Sequence, residues 1–444
     1  MNQAKKFTWE KIGSRLRQAR EEKKLTQQEL ANRMGQRLTR ESGEDVKIPA
    51  SMIRQWERGK FPGALSRFWA LCQELGCSTD QVLGETAVGE GCGLRWKWQF
   101  PDPAQSDRGR IQKGIDLFHQ IVSGGEPSDV DGNGNELLLK QALYTAHIQL
   151  LGVRRDEERE NRLRQKYGSL KYCFVAGLDG LPSSRVVDST IRAEAVARLA
   201  VDEWLKILNE ARPALPRSIG ITGGTVMARF VELLPFAHPL LSKMEWLSLL
   251  ATKEYLRVAL AGTSANNLIG RLLYRQPLAV GFGLPFVNLD RREMRPNRAE
   301  ERWELNYARD ILSRARKVDV AFVTVGTREV DYLREQALLG LVSLATIFEE
   351  MSEQEQENCV GDVLLRLLDR DGKEIGGERI KEDIRKLVYS IELDDLRQIA
   401  QRGEVFVLCE RAEKSNVIAA LVNRGLVNAL VIDSATADRL LAQS

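Results

Sequence analysis

The spacing of apolar and polar positions divides the chain into two regions of different texture. Near the start, apolar residues recur at helical intervals. Leu30, Ala31 and Met34 share one side of a helix opening at Thr26, and Ile53 and Trp56 share one side of a second, shorter helix, because residues three and four apart lie on the same helical face. Thr26 suits the N-cap, with Gln27 and Gln28 in the first turn. Beyond Leu170 short apolar runs are each followed by an amphipathic helical pattern: YCFVAG then Thr190 to Leu208, SIGITGG then Thr225 to Leu234, WLSLLAT then Ser264 to Tyr274. The series continues with a helix from Arg298 to Ala315, the run VDVAFVTVG and a helix from Val330. It ends with VFVLCE before Lys414 to Gly425 and NALVID before Ala435 to Ala442. Parallel strands need crossover connections and helices supply them, so this alternation predicts a largely parallel sheet with helices on both faces. The expected fold class is multidomain, an all-α head followed by an α/β domain.

The stretch from Gly84 to Ser169 reads less clearly. TAVGEGCGLRWKWQFPDPAQSDRGR is rich in Gly and Pro and reads as a linker, followed by helical patterns at Ile111 to Val122, Glu136 to Leu151 and Asp156 to Lys166. The last two are expected to bridge the domains. The joint SGGEPSDVDGNGN places Asp129, Asp131, Asn133 and Gly134 at calcium-loop positions, but Lys140 stands where a bidentate carboxylate is required. A polar turn is the preferred reading, and neither a metal nor a cofactor is expected. The boundaries expected are a head over 1–84, a bridge over 85–164 and a sensor over 165–444.

The second helix of the head turns Ser51, Arg54 and Gln55 outward. A helix fits the DNA major groove, where Arg can pair bidentately with guanine and Gln with adenine, while the preceding helix meets a phosphate with its N-terminal N–H groups. Charge agrees: residues 1–60 carry 15 Lys/Arg against 8 Asp/Glu, a net +7, while the whole chain sums to only +3. A basic head on a mildly acidic body suits attraction to a phosphate backbone. Ile12 to Leu83 resembles the XRE or Cro-type helix-turn-helix repressors through IGSRLRQAREEKKLTQQELA, WERGK and LSRFWALCQELGC. The resemblance implies a pairing of Arg20 with Glu57, and double-stranded DNA as partner, contacted through Gln27, Gln28, Ser51, Arg54 and Gln55. It departs from the family in GQRLTRESGEDVKIP, longer than the usual turn, so that either the second helix runs on or a loop projects.

In parallel sheets ligands bind outside the carboxyl ends of the strands, and four such ends carry plausible chemistry. Gly223, Gly224 and Thr225 lie between a strand and a helix start, where N–H groups and the helix dipole favour an anion. VTVGT ends at Gly326 and Thr327, GDVLLRLLDRDGKE supplies Asp362 and Asp369 as acceptors for hydroxyls, and CERAEKS brings Lys414. In this order they resemble the sugar-binding domain of the SorC family of transcriptional regulators over residues 165–442, together with SIGITGGTVMARFVELLP, YARDILSRARKVDVAFVTVGT and EKSNVIAALVNRGLVNALVIDSATADRLL. The resemblance implies a fold related to sugar-phosphate isomerases and deaminases, used as a sensor for a phosphorylated sugar. Gly223, Gly224, Thr225 and Lys414 would hold the phosphate, and Asp362 or Asp369 would meet hydroxyls. Two departures fall in the site. Val226 follows Thr225 where the family has a second hydroxyl residue, and Glu410 and Arg411 replace paired glycines before the lysine. Either Arg411 offsets the loss with its guanidinium fork, or the ligand differs.

Composition narrows the function classes. MNQAKKFTWEKIG has no apolar segment of the signal-peptide kind, and Ala337 to Phe348, the longest apolar-leaning stretch, is too short to span a bilayer, so a soluble cytoplasmic protein with no membrane partner is expected. The six cysteines are dispersed, which points to reduced thiols. His119, His147 and His238 are the three histidines, and His238 sits among apolar residues in PFAHPLL. The favoured reading is a transcriptional regulator, not an enzyme, acting as a homodimer or homotetramer because one helix-turn-helix contacts too few bases. The alternatives are a sugar-phosphate isomerase- or deaminase-like enzyme and a scaffold with a degenerate effector pocket.

Overall fold

A computed structural model of the chain describes residues 9–42, 45–58, 148–179, 185–211, 216–252, 263–285, 299–327 and 350–443, with short pieces at 71, 74–75, 87–88, 94–98, 113–114, 117–118, 121, 181 and 347–348. The expected polar turn SGGEPSDVDGNGN, most of the pattern from Glu136 and the helix from Val330 lie outside the described residues. Contacts divide the chain into two units, Met1–Gly152 with Asp179–Thr190, and Val153–Leu178 with Ile191–Ser444.

In the first unit, α1 (Trp9–Glu22), α2 (Gln27–Ser42) and α3 (Ala50–Glu57) form the helical head. Leu16, Leu30, Ala31, Met34, Leu38, Ile53 and Trp56 are buried between them, on the faces that helical spacing selects. A capping box opens α2: the Thr26 hydroxyl accepts from the Glu29 N–H at 3.1 Å, and Glu29 Oε2 accepts from the Thr26 N–H at 2.7 Å. The longer segment after Gly35 is resolved in favour of an extended helix, which runs on to Ser42. The chain then folds back, and the Val46 N–H donates to Thr39 Oγ1 at 2.9 Å. The first unit also holds β1 (Ala87–Val88) and β2 (Leu94–Trp98), paired antiparallel. Residues expected to end a helix at Leu151 form instead strand β3 (Ile148–Val153). A short apolar run such as IQLLGV has no period long enough to distinguish the two.

The second unit is built on a seven-stranded sheet of order β4-β15-β14-β9-β5-β6-β8. Its strands are β4 (Tyr172–Ala176), β5 (Ser218–Ile221), β6 (Glu245–Ser248), β8 (Val280–Phe282), β9 (Val320–Val323), β14 (Glu404–Cys409) and β15 (Ala429–Asp433). Every pairing in it is parallel. Its helices are α4 (Glu157–Lys166), α5 (Arg185–Glu210), α6 (Thr225–Leu233), α7 (Ala265–Arg275), α8 (Ala299–Ala315), α9 (Glu353–Asn358), α10 (Glu378–Leu387), α11 (Leu393–Arg402), α12 (Ser415–Asn423) and α13 (Ser434–Ala442). Of these, α5 to α8, α12 and α13 are the expected connections, whereas α9, α10 and α11 were not marked by the alternation. Alternate residues of each strand serve opposite faces. Ala321, Val323, Val405 and Val407 join the core with Ile311, Leu396 and Val417. On the other face Phe322 stacks on Phe406 at 5.1 Å, and Trp204 and Phe230 pack on Phe322 at 5.3 and 4.7 Å. The helix expected as a bridge, Asp156 to Lys166, is part of this unit, because Glu160 Oε1 accepts the Val175 N–H of β4 at 3.0 Å.

Two apolar runs read as single strands are each two. WLSLLAT breaks at Leu249, and β7 (Leu250–Thr252) pairs antiparallel with β13 (Val388–Ser390). VDVAFVTVG breaks at Thr324, and β10 (Val325–Thr327) pairs antiparallel with β11 (Gly361–Val363), which pairs in turn with β12 (Arg366–Leu368). A period of two continues unchanged across such a break, so the apolar pattern cannot mark it.

Gly13 marks a close crossing of α1 and α3. A Cβ there would lie 2.5 Å from the Glu57 carbonyl oxygen and 2.6 Å from that of Trp56. Gly13→Ala is expected to push α1 off α3 and destabilise the head by about 1–3 kcal/mol, despite the better helix propensity of alanine. A urea titration of the wild type and the variant measures this, and an unchanged or raised midpoint would contradict the close crossing.

Candidate nucleic-acid interface and effector site

The head presents its polar face through α3. Ser51, Arg54 and Gln55 are exposed, while Ile53 and Trp56 anchor the opposite side. The end of α3 is fixed by Glu57, whose carboxylate accepts from Arg20 Nε at 2.5 Å, Arg20 Nη2 at 3.3 Å and Gln27 Nε2 at 2.7 Å. The Arg20 to Glu57 pairing therefore forms as the repressor resemblance implied, and charge-assisted bonds to both oxygens make it directional. Gln27 plays a part that sequence reasoning missed. Its side chain is half-buried and spans Glu57 and Arg54, with Arg54 Nε donating to Gln27 Oε1 at 3.4 Å. It thus orients Arg54 from within the protein, whereas Gln28 is exposed and donates to Asn32 Oδ1 at 2.9 Å.

In the second unit the topology selects one place. The chain winds outward from β5 through β6 to β8, then returns to β9 on the other side of β5, so the winding direction reverses between β5 and β9. Helices leaving adjacent strands on opposite sides open a crevice at the carboxyl ends there. Two threonines tie the strand ends at that point. The Thr324 N–H donates to Thr222 Oγ1 at 3.0 Å, and the Thr324 hydroxyl donates to the Gly223 carbonyl at 2.6 Å. Gly224, with φ 118°, turns the chain into α6, and a Cβ at that position would meet Thr324 Oγ1 at 2.9 Å. The first-turn N–H groups of α6, from Thr225 onward, have no partner within the helix. Thr225 is exposed there, and Val226 is buried.

Past Thr324 the chain enters β10, whose Gly326 lies opposite Asp362 and whose Thr327 lies opposite Gly361. The β11–β12 turn is strained: Leu364 and Leu365 stand at φ 55° and 61°, a conformation that glycine or asparagine ordinarily fills. Asp362 accepts a backbone bond from Leu365 across this turn, and burial of Leu364 holds the turn in place. Burial pushes the Asp362 carboxyl up to about 6, opposed by Lys414 and by the Leu365 bond. Lys414 ends a 3₁₀ turn (Ala412–Lys414) just before α12 and is itself buried. Its Nζ lies 3.7 Å from Glu410 Oε1, and Arg411 Nε lies 3.8 Å from the same oxygen.

Asp369 has a different role from Asp362. Its Oδ1 accepts from the Asp371 and Lys373 N–H groups at 2.9 and 2.8 Å. This carboxylate shapes its own turn, so of the two aspartates it is Asp362 that stands by Lys414. Glu410 was noted in the sequence only as a departure from family pattern, yet it is buried at the end of β14, and its Oε2 has no hydrogen-bond partner among the described residues.

Other reactive groups are set elsewhere or silenced. His238 precedes β6, at the opposite end of that strand from the crevice, and burial lowers its pKa. The thiols of Cys173 and Cys409 are buried and pushed up to about 12, so they remain protonated near neutral pH. Among the described residues no group of His, Cys, Asp and Glu is arranged to hold a metal, and no helix is long and apolar enough to cross a membrane.

Comparison with known proteins finds a family model for part of each unit. Residues 16–82 match the family model "Helix-turn-helix", and residues 294–442 match the family described as "Putative sugar-binding domain". Among solved structures, a DeoR family transcriptional regulator from Listeria monocytogenes is 18% identical with a TM-score of 0.47, covering 64% of this chain and 98% of that one. The full-length sorbitol operon regulator SorC from Klebsiella pneumoniae, also 18% identical with a TM-score of 0.47, covers 75% of this chain and 99% of that one. No curated protein matches. The chain joins a helix-turn-helix head to a sugar-binding-type α/β domain, the make-up of a DNA-binding transcriptional regulator with an effector domain.

The buried Asp362 carries a pH signature. Its folded value, raised from 3.8 to about 6, means that the ionised form opposes folding. The penalty, about 3 kcal/mol at 1.36 kcal/mol per unit, is full above the folded value and vanishes as pH falls toward the unfolded one. Asp362→Asn keeps an oxygen for the Leu365 N–H and removes the titration. The variant is expected to be the more stable at pH 7.5, with its advantage over wild type shrinking by pH 4.5. Parallel stability curves in urea across that range would refute the assignment.

Proposed function

We propose that the protein is an effector-responsive transcription factor that binds a palindromic operator as a homo-oligomer in the cytoplasm and changes its operator affinity when a sugar occupies the crevice of the second unit. Arg54 and Gln55 read base edges, Ser51 and Gln28 contact phosphates, and Gln27 holds Arg54 in register. The observation that carries this reading is the outward row of Ser51, Arg54 and Gln55 on a helix whose opposite face is anchored by Ile53 and Trp56 and whose end is fixed by Glu57. Such a row on a rigid short helix has the width and chemistry of a major-groove reader. Two copies would place two such helices on half-sites one helical turn apart, and protein symmetry would then match operator symmetry.

On the sensor side, Gly223, Gly224, Thr225, Thr327, Asp362 and Lys414 line the proposed site at the strand ends. A ligand there shifts the balance between DNA-competent and released states only to the extent that it binds one of them better. A second reading, acid–base catalysis on a sugar, is favoured by one feature, the Asp362 carboxyl raised to about 6. Turnover of sugar phosphates by the purified protein would favour that reading over sensing.

The test is selection of duplexes from a random-sequence library by the full-length protein at fixed salt, with and without added sugars. Enrichment of a palindrome that changes with one sugar supports the proposal, and enrichment of no sequence sinks it. Arg54→Ala is expected to cost about 1–3 kcal/mol on the selected site and to relax preference at one position per half-site, with little effect on nonspecific duplex. Equal weakening on all sequences would assign Arg54 to the phosphate backbone instead.

A further inference from the structure

The charges beside Lys414 bear on what the effector is. Two buried carboxylates, Asp362 and Glu410, share the surroundings of one buried cation, and the half-buried Arg411 also leans on Glu410. Lys414 is therefore not a spare positive charge. A phosphate dianion needs an excess of donors and positive charge, whereas here it would meet the bare Oε2 of Glu410. That oxygen is buried and without a partner among the described residues, a position that costs free energy unless a donor reaches it.

The start of α6 points the same way. The Gly224 N–H, in the loop where an anion would sit, already donates to the Thr263 carbonyl at 2.9 Å. A Cβ on Gly223 would lie 2.6 Å from that same carbonyl oxygen, so the carbonyl faces the glycine turn at close range. The bond withdraws one N–H of this turn from any anion, which leaves the turn a poorer phosphate cradle.

Resting on the reading of this site as a sugar sensor, we infer that the effector is an unphosphorylated sugar that donates a hydroxyl or amino hydrogen bond to Glu410 Oε2. Glu410 is then a specificity residue: its Oε2 accepts from a ligand donor, and a phosphate, which brings acceptors and negative charge, leaves that oxygen unsatisfied. The departure from paired glycines, which by sequence alone left the ligand open, becomes the feature that selects it.

Calorimetric titration of the full-length protein with matched pairs tests this, the pairs being glucose, fructose and glucosamine, each against its 6-phosphate. At least one free sugar is expected to bind about tenfold or more tightly than its phosphate. In Glu410→Gln the free sugar should weaken by a similar factor and the gap should narrow. A phosphate ester binding more tightly than its free sugar to the wild type overturns the inference while leaving the sensor reading intact. Binding of neither member of any pair, with operator binding retained, overturns the sensor reading and the inference with it. A free-sugar preference that Glu410→Gln leaves unchanged removes Glu410 from the recognition.

Discussion

The second unit depends on one constraint: all seven strands of its main sheet run parallel. Parallel neighbours cannot be joined by tight turns, so every strand must be followed by a crossover, and every carboxyl end emerges at the same edge. Residues far apart in sequence, such as Thr222, Thr324, Glu410 and Asp433, are thereby placed along a single edge. The reversal of winding between β5 and β9 then opens that edge at one point. The Thr222 and Thr324 hydroxyls substitute for ladder bonds where the strands end and the chain leaves the sheet.

Charge is handled differently around Lys414 and in the rest of this unit. Away from Lys414, buried ions are paired closely. Arg192 donates to Asp433 at 2.9 Å, Arg229 bonds Glu194, and Arg155 bonds Glu160 and Glu203. Burial still raises the carboxyls of Glu194 and Asp433, so these pairs serve geometry more than stability. By contrast, Lys414 faces Glu410 at 3.7 Å without a hydrogen bond and Glu410 Oε2 is bare. The strained Leu364–Leu365 turn lies beside Asp362 in the same place. The strained turn and the unpaired Glu410 oxygen are the features on which the proposed ligand site rests.

Much of this organisation was legible in the sequence. The inward faces of α2 and α3, the Thr26 cap and the alternation of strands and helices follow from spacing, which reports local periodicity directly. Missing were breaks that periodicity does not register. WLSLLAT and VDVAFVTVG each change partner strand midway, because Leu249 and Thr324 divert the backbone without interrupting the apolar pattern. The short edge strand β8 was likewise unmarked, lying in RQPLAVGFGLP with glycine and proline around it.

For the site, the residue types were visible and their company was not. The sequence by itself determined that glycines and a threonine open α6, that a lysine precedes α12 and that Arg54 and Gln55 point outward, since each follows from position within one element. Only the tertiary structure decided that Asp362 and not Asp369 stands by Lys414, that Gln27 turns inward to Glu57 and Arg54, and that Glu410 carries an unpaired oxygen. Those are relations between elements brought together by crossovers and helix packing, and a one-dimensional pattern holds no distance between them.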